Sequence, residues 1–181
     1  MNRRMGMLNV GMWSAGAAVA ALAMAGCGGG GNSGNSRTTI HGDLRSGDLT
    51  LPTSAYVQGG SYVDIYSCTA RDDGSARVDL KSSDFQSFLI VGVQYSANNI
   101  HTITTDYDPN GRDSHAEFNV SRDVTYFVAA TNADGAGRTG SYELDFSDNL
   151  KDVREENDPA ITPQVRAAAA RALQEHQAQK K

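Results

Sequence analysis

The chain of 181 residues is poor in the residue types that most readily reveal chemistry. It has one tryptophan, Trp13, and five methionines, the last of them Met24, so residues 25–181 contain neither type. Cysteine occurs twice, at Cys27 and Cys68, and proline four times. The longest apolar run, from about Val10 to Ala25, is alanine-rich and falls short of the ~20 residues of a membrane-spanning helix. Basic charge is scarce: 16 Lys and Arg against 21 Asp and Glu give a net charge of −5 and a pI near 5.3. Phosphates are met by clustered Lys and Arg, so this balance speaks against nucleic acid as a partner. Catalytic signatures are missing too. There is no G-x-S-x-G elbow, no H-E-x-x-H, no P-loop and no dinucleotide fingerprint. The four histidines, His41, His101, His115 and His176, include no pair at ligand spacing, although a hairpin would make neighbours of His101 and His115. The chain reads as a non-enzyme.

What is present begins with a leader. Arg3 and Arg4 precede the apolar run, as in a secretory signal. The run ends Leu22-Ala23-Met24-Ala25-Gly26-Cys27, which resembles a bacterial lipobox. The resemblance implies a signal peptide over 1–26, cleavage before Cys27 and diacylglycerol on its sulfur. Gly28 to Gly31 and Asn32-Ser33-Gly34-Asn35-Ser36 then read as a tether over 27–39, too polar and glycine-rich to bury apolar surface. Gly28 after the cysteine, rather than Asp, resembles lipoproteins delivered to the outer membrane of hosts that have one. The expectation is a bacterial cell-envelope lipoprotein held at the membrane by its acyl chains. Loss of residues 1–26 takes the net charge from −5 to −7, so no basic patch assists the anchor. With Cys27 lipidated, Cys68 has no intrachain partner and is expected in the core.

Residues 40–147 read as all-β. Ser61–Cys68, Ala76–Leu80, Phe88–Tyr95, Ile100–Thr105, His115–Val120, Val124–Thr131 and Gly140–Phe146 are predicted strands, with Ile40–Leu44 and Leu49–Leu51 supplying one more. Asp73-Gly74 and Asn110-Gly111 read as hairpin turns. Tyr142, Leu144 and Phe146 alternate with Glu143 and Asp145, the pattern of a half-buried strand. Short strands with regular turn signals predict a two-sheet antiparallel sandwich of jelly-roll type.

Four pieces of this body, Tyr62–Cys68, Val78–Leu89, Val124–Val128 and Gly140–Leu144, resemble the bacterial pre-peptidase C-terminal domain in order and spacing over roughly 42–147. That family carries D-x-Y-x-F, L-x-S-S-D-F, G-T-Y and G-x-Y-x-L segments; Ser82-Ser83-Asp84-Phe85 is the most specific match. Cys68 stands where the family has Phe, and Arg122-Asp123-Val124 replaces a Gly-Thr turn. The resemblance implies a small jelly-roll sandwich of the kind appended to secreted peptidases. A non-catalytic binding or spacer domain is expected, with a carbohydrate- or matrix-binding module and a peptidase accessory or inhibitor as alternatives. Its ligand would be an envelope protein or polysaccharide.

One loop carries a ligand pattern. Asp106-Tyr107-Asp108-Pro109-Asn110-Gly111-Arg112-Asp113-Ser114-His115-Ala116-Glu117 fits D-x-[DN]-x-[DN]-G-x5-E. Calcium takes six to eight oxygens, and alternate side chains of a tight loop converge on one point. Asp106, Asp108 and Asn110 would supply side-chain oxygens, Arg112 its carbonyl, and Asp113 or Glu117 the rest. The alternative is a solvated Asp-rich turn between strands. Of the tyrosines, Tyr56, Tyr95 and Tyr107 are the candidates for exposure and stacking. Finally, 148–181 reads as a charged connector, Lys151–Asp158, and a marginal helix, Gln164–Gln179, capped by Thr162 with Pro163 in its first turn. Its stripe of Val165, Ala168, Ala169, Ala172 and Leu173 is thin for docking.

Overall fold

The computed structural model describes residues 37–51, 60–96, 99–108, 112–134 and 137–179. Cys27 and the leader, Tyr56 and Asn110 lie outside them. Nine strands are described: β1 (Thr38–Leu44), β2 (Val63–Ala70), β3 (Gly74–Lys81), β4 (Ser87–Ser96), β5 (Asn99–Asp106), β6 (Ser114–Val120), β7 (Thr125–Asn132), β8 (Gly140–Phe146) and β9 (Leu150–Glu155). One helix follows, α1 (Thr162–Gln179). The strands form two antiparallel sheets, β1-β8-β3-β6 and β5-β4-β7-β2-β9. The architecture is the expected two-sheet sandwich with a C-terminal helix.

Alternation explains the first sheet. In β6 every second residue is buried, and Ala116, Phe118 and Val120 point into the same core as Val78 and Leu80 of β3 and Leu144 and Phe146 of β8. The other faces of these strands carry polar and charged side chains. Opposite them, Cys68 of β2, Leu89 and Val91 of β4 and Val128 and Ala130 of β7 close the inter-sheet core. Cys68 is 1% exposed, and burial pushes its thiol up to about 12, which suits a packing residue and not a nucleophile.

The central strands of the second sheet, β4, β7 and β2, are largely buried on both faces, while β5 and β9 are partly exposed. Val63, Ile65, Phe88, Ile90, Ile100 and Phe127 point away from the inter-sheet core and pack under α1. This corrects the reading of the helix as undocked. Val165 meets that face with Ala168, Ala169, Ala170 and Ala172. Alanines stabilise little by their own area, yet they let the helix backbone lie close on large sheet side chains. Arg166 adds two hydrogen bonds from its guanidinium to the carbonyl of Thr50, one of 2.7 Å from Nε and one from Nη2. The cap also differs. Asp158 Oδ1 accepts from the N–H of Ala160 at 2.8 Å and its carbonyl accepts from Thr162, so Asp158, with Pro159 next, closes the turn leading into the helix.

Two further corrections concern connections. Asp73-Gly74 and the segment around residue 110 do not make hairpins: β2 and β3 lie in different sheets, as do β5 and β6. The turn signals mark reversals of direction while the chain crosses the sandwich. His101 of β5 and His115 of β6 therefore do not pair. The connector expected at Lys151–Asp158 contains most of β9, an edge strand paired to β2. Its sequence LKDVRE hides the strand, because only Leu150 is fully buried and Asp152 sits at φ 54, breaking the alternation.

Ala169 is fully buried against the sheet. Ala169→Leu forces extra volume into this contact and is expected to lower stability by about 1–3 kcal/mol in a urea titration. A change near zero would mean that the helix does not pack there.

Candidate functional site

α1 covers the middle of the second sheet, whereas among the described residues the outer face of β1-β8-β3-β6 carries no covering helix. Its register sets Asp145 of β8 directly opposite Asp79 of β3, and Glu143 opposite Lys81. Two carboxylates facing each other across strands repel, and the surrounding cations relieve this. Lys81 Nζ donates to Asp145 at 2.7 Å and to Glu143 at 3.0 Å. Lys81, with help from the Thr39 hydroxyl, holds the Asp145 carboxyl below the usual range. Asp79 Oδ1 accepts from Arg77 Nε at 2.6 Å and pairs with His115 Nδ1 at 2.8 Å. The face is a charged grid neutralised largely within itself.

At one margin of the grid lies β1, an edge strand. Two recesses flank it and share His41, Gly42 and Asp43. The larger, about 650 Å³, runs over Lys81, Ser82, Ser141 and Glu143 towards Arg112. Ser82 and Ser83, the start of the Ser82-Ser83-Asp84-Phe85 corner, line it. Ser82 Oγ accepts from the N–H groups of Asp84 and Phe85 at 3.1 and 3.3 Å and donates to the Ser141 carbonyl at 2.8 Å. Asp84 Oδ2 accepts from the Ser141 N–H and hydroxyl at 2.8 and 2.9 Å, contacts that keep its carboxyl ionised to lower pH. Gly140 beside it has φ +153, and a Cβ there would fall 2.3 Å from that of Asp84, so only glycine fits.

The second recess, about 550 Å³, opens between the edges β1 and β9. It is lined by Tyr66 (β2) and Asp64. The Tyr66 hydroxyl lies 2.7 Å from that of Tyr142 (β8), and Tyr142 donates on to Asp64 Oδ2 at 2.6 Å. This chain bridges the two sheets. Gly42 makes room for it, since a Cβ there would stand 2.4 Å from the Tyr142 hydroxyl. Burial pushes Tyr66 up to about 12 and Tyr142 well above the ordinary phenol range. Burial likewise raises Asp64 to about 6; the Tyr142 hydrogen bond opposes this, while Asp48 and Glu155 reinforce it. Sequence reasoning quoted these residues as motif positions and missed that they meet, since Asp64 and Tyr142 are 78 positions apart.

Several residues of the D-x-[DN] pattern make hydrogen bonds within the domain. Asp106 Oδ2 accepts from the His115 N–H at 2.6 Å. The Asp108 carbonyl accepts from Gln86 Nε2 at 2.9 Å, and the Arg112 carbonyl accepts from both the N–H and the hydroxyl of Ser87. Glu117 lies on β6 and accepts from Ser75 at 3.0 Å; Asp113 is half-buried along the larger recess. Among the described residues, no three carboxylate, imidazole or thiol side chains come together as a metal centre. Tyr107 is half-buried, its ring tilted on Phe88 and its hydroxyl donating to Gln86 at 2.9 Å.

No family model matches the chain, and no curated protein matches it. Solved structures do. One is the pre-peptidase C-terminal domain of the collagenase of Bacillus anthracis, 19% identical, covering 64% of this chain and 89% of that one, with a TM-score of 0.43. It is the type of domain that the motifs resemble. A second is the mitogen of Yersinia pseudotuberculosis, at 14% identity, 69% and 92% coverage and a TM-score of 0.44. A third is a periplasmic inhibitor of g-type lysozyme from Aeromonas hydrophila, at 13% identity, 66% and 90% coverage and a TM-score of 0.43.

Two outcomes follow from this geometry. Asp64 titrates near 6 in the folded chain and near 4 unfolded, so the folded state binds the extra proton. Stability should therefore fall as pH rises from about 4 to 6 and then level off. Asp64→Asn, which keeps an acceptor for Tyr142, should flatten that slope; an unchanged slope in thermal melts would assign it elsewhere. Millimolar CaCl₂ should raise the melting temperature no more than MgCl₂, because Asp106 and the Arg112 carbonyl are already engaged. A calcium-specific rise lost in Asp106→Ala/Asp108→Ala would contradict this.

Proposed function

We propose that this chain is a non-catalytic lipoprotein of the bacterial cell envelope, anchored through Cys27, whose sandwich binds a polar macromolecule of the envelope along β1. One observation carries the binding role: the two outer faces are treated oppositely. α1 covers the middle of the five-stranded sheet, whereas among the described residues no helix packs on the outer face of the four-stranded sheet, and both recesses lie beside its β1 margin. Polar, partly recessed surface of this kind suits ligand contact, in which a few placed polar groups fix orientation. The anchoring role rests on the lipobox and on the Gly/Ser/Asn tether, which would hold a folded domain clear of the headgroups. Among the described residues no helix is long and apolar enough to cross a membrane.

The test has two arms. Cys27→Ser should abolish lipid labelling and release the protein from the membrane fraction; unchanged labelling would overturn the anchor. Hydrogen exchange of the full chain in detergent, with and without fractionated envelope protein and polysaccharide, should then show protection over 38–45 and 141–145 and none over 162–179. Protection confined to the helix, or none at all, would overturn the binding role.

A further inference from the structure

The two edges at the mouth of the smaller recess are not equivalent. β9 is a poor template for another strand: its pairing to β2 slips between Ser67 and Thr69, and Asp152 takes a left-handed conformation. Bulges and charges of this kind blunt an edge. β1 is regular. It pairs with β8 through seven consecutive residues, Thr38 to Leu44, without a bulge, and no described strand lies on its other side. That side presents the unpaired N–H and C=O groups of an edge strand, a ready template for an extended backbone.

Beside this edge the recess holds an unpaired carboxylate. Among the described residues, the side chain of Asp64 has one hydrogen bond, from Tyr142 to Oδ2, and no ion pair. Its surroundings are net acidic: Asp43, Asp48 and Glu155 line the recess together with His41, Arg45 and Arg154, and Arg45 is held by Asp43 at 2.6 Å. A half-buried carboxylate whose hydrogen-bond partner is a neutral hydroxyl has lost water on one side without gaining an ion pair; Arg45 acts on it only through space. A cation entering the recess would supply that ion pair, and a ligand that also offers a backbone would satisfy the edge. A polypeptide does both; a polysaccharide has no amide ladder to pair with β1.

We infer that the free edge of β1 and the recess beside it hold an extended segment of an envelope protein, which pairs its backbone with β1 and sets a lysine or arginine side chain against Asp64. The inference rests on the binding role proposed above and names the partner's chemistry. Strand addition supplies affinity, and the recess supplies the choice of side chain.

The probes are short peptides of alternating Thr and Val with one central Lys, Arg, Gln or Glu, titrated against the full chain in detergent by fluorescence anisotropy. Lys and Arg peptides should bind about tenfold or more tighter than the Gln peptide, as a charge-assisted hydrogen bond in a recess allows, and the Glu peptide should be weakest. Asp64→Asn, which keeps the acceptor for Tyr142, should erase the preference, and exposed Glu155→Gln should reduce it. Hydrogen exchange should show the Lys peptide protecting 38–44. Equal binding of the Lys and Gln peptides, or a preference that survives Asp64→Asn, overturns the inference. Protection of β1 by the Gln peptide or by a polysaccharide alone overturns the inference and leaves the binding role standing. Protection by no probe and no envelope fraction removes both.

Discussion

A chain of two buried hydroxyls and a half-buried carboxylate crosses the sandwich, and the rest of the molecule is arranged around it. Tyr66 donates to Tyr142, and Tyr142 to Asp64, so β2 of one sheet is tied to β8 of the other by directional bonds and not by apolar contact alone. Polar groups in such a place are tolerated only when each finds its partner. The neighbours comply. Gly42 of β1 gives up a side chain so that the Tyr142 ring can pass, and the edges of Tyr66 and Phe85 pack on Phe146 and Tyr142 respectively. One residue earlier, the Ser82-Ser83-Asp84-Phe85 corner grips the N–H, hydroxyl and carbonyl of Ser141. The start of β8 is thus held from both sides, and two pieces of sequence that look like separate motifs fix the same three residues, Gly140 to Tyr142.

This clamp also decides where surface is left open. With β8 fixed over β2, β1 continues the four-stranded sheet past the end of the core and stands opposite β9, so the recess between them opens directly over the Asp64 carboxylate. On the other side of the molecule the apolar outer face of the second sheet would be a large exposed patch without α1, and such patches associate. The helix covers it through small residues, close to the sheet. Among the described residues one face is covered by a helix and the other is not, and the proposed binding role rests on that difference.

Much of this was legible in the sequence. Period-two runs such as HAEFNV and GSYELDF gave their strands and the side that each buries, and the segments resembling the pre-peptidase C-terminal domain gave the sandwich. The misreadings have specific causes. A turn signal such as Asp73-Gly74 reports that the chain reverses, not whether the next strand joins the same sheet. β9 is an edge strand, so charge hides it. The continuous apolar runs FLIVGVQY and VTYFVAAT signalled strands covered on both faces, hence a covering element, and the alanines of α1 were too small to suggest it. The meeting of Asp64 with Tyr142 depends on the pairing of whole sheets, which local pattern does not encode.

The central claim is that the Tyr66–Tyr142–Asp64 chain clamps the sheets as a unit. A double-mutant cycle on Tyr66→Phe and Tyr142→Phe, read by urea unfolding, tests it with little change of volume. Groups in one hydrogen-bonded network couple by about 0.5–3 kcal/mol, whereas independent sites add within about 0.3–0.5 kcal/mol. The account predicts that the double variant loses less stability than the two single losses together, by an amount in the coupled range, because either substitution already breaks the link between the two hydroxyls. Losses that simply add would contradict it.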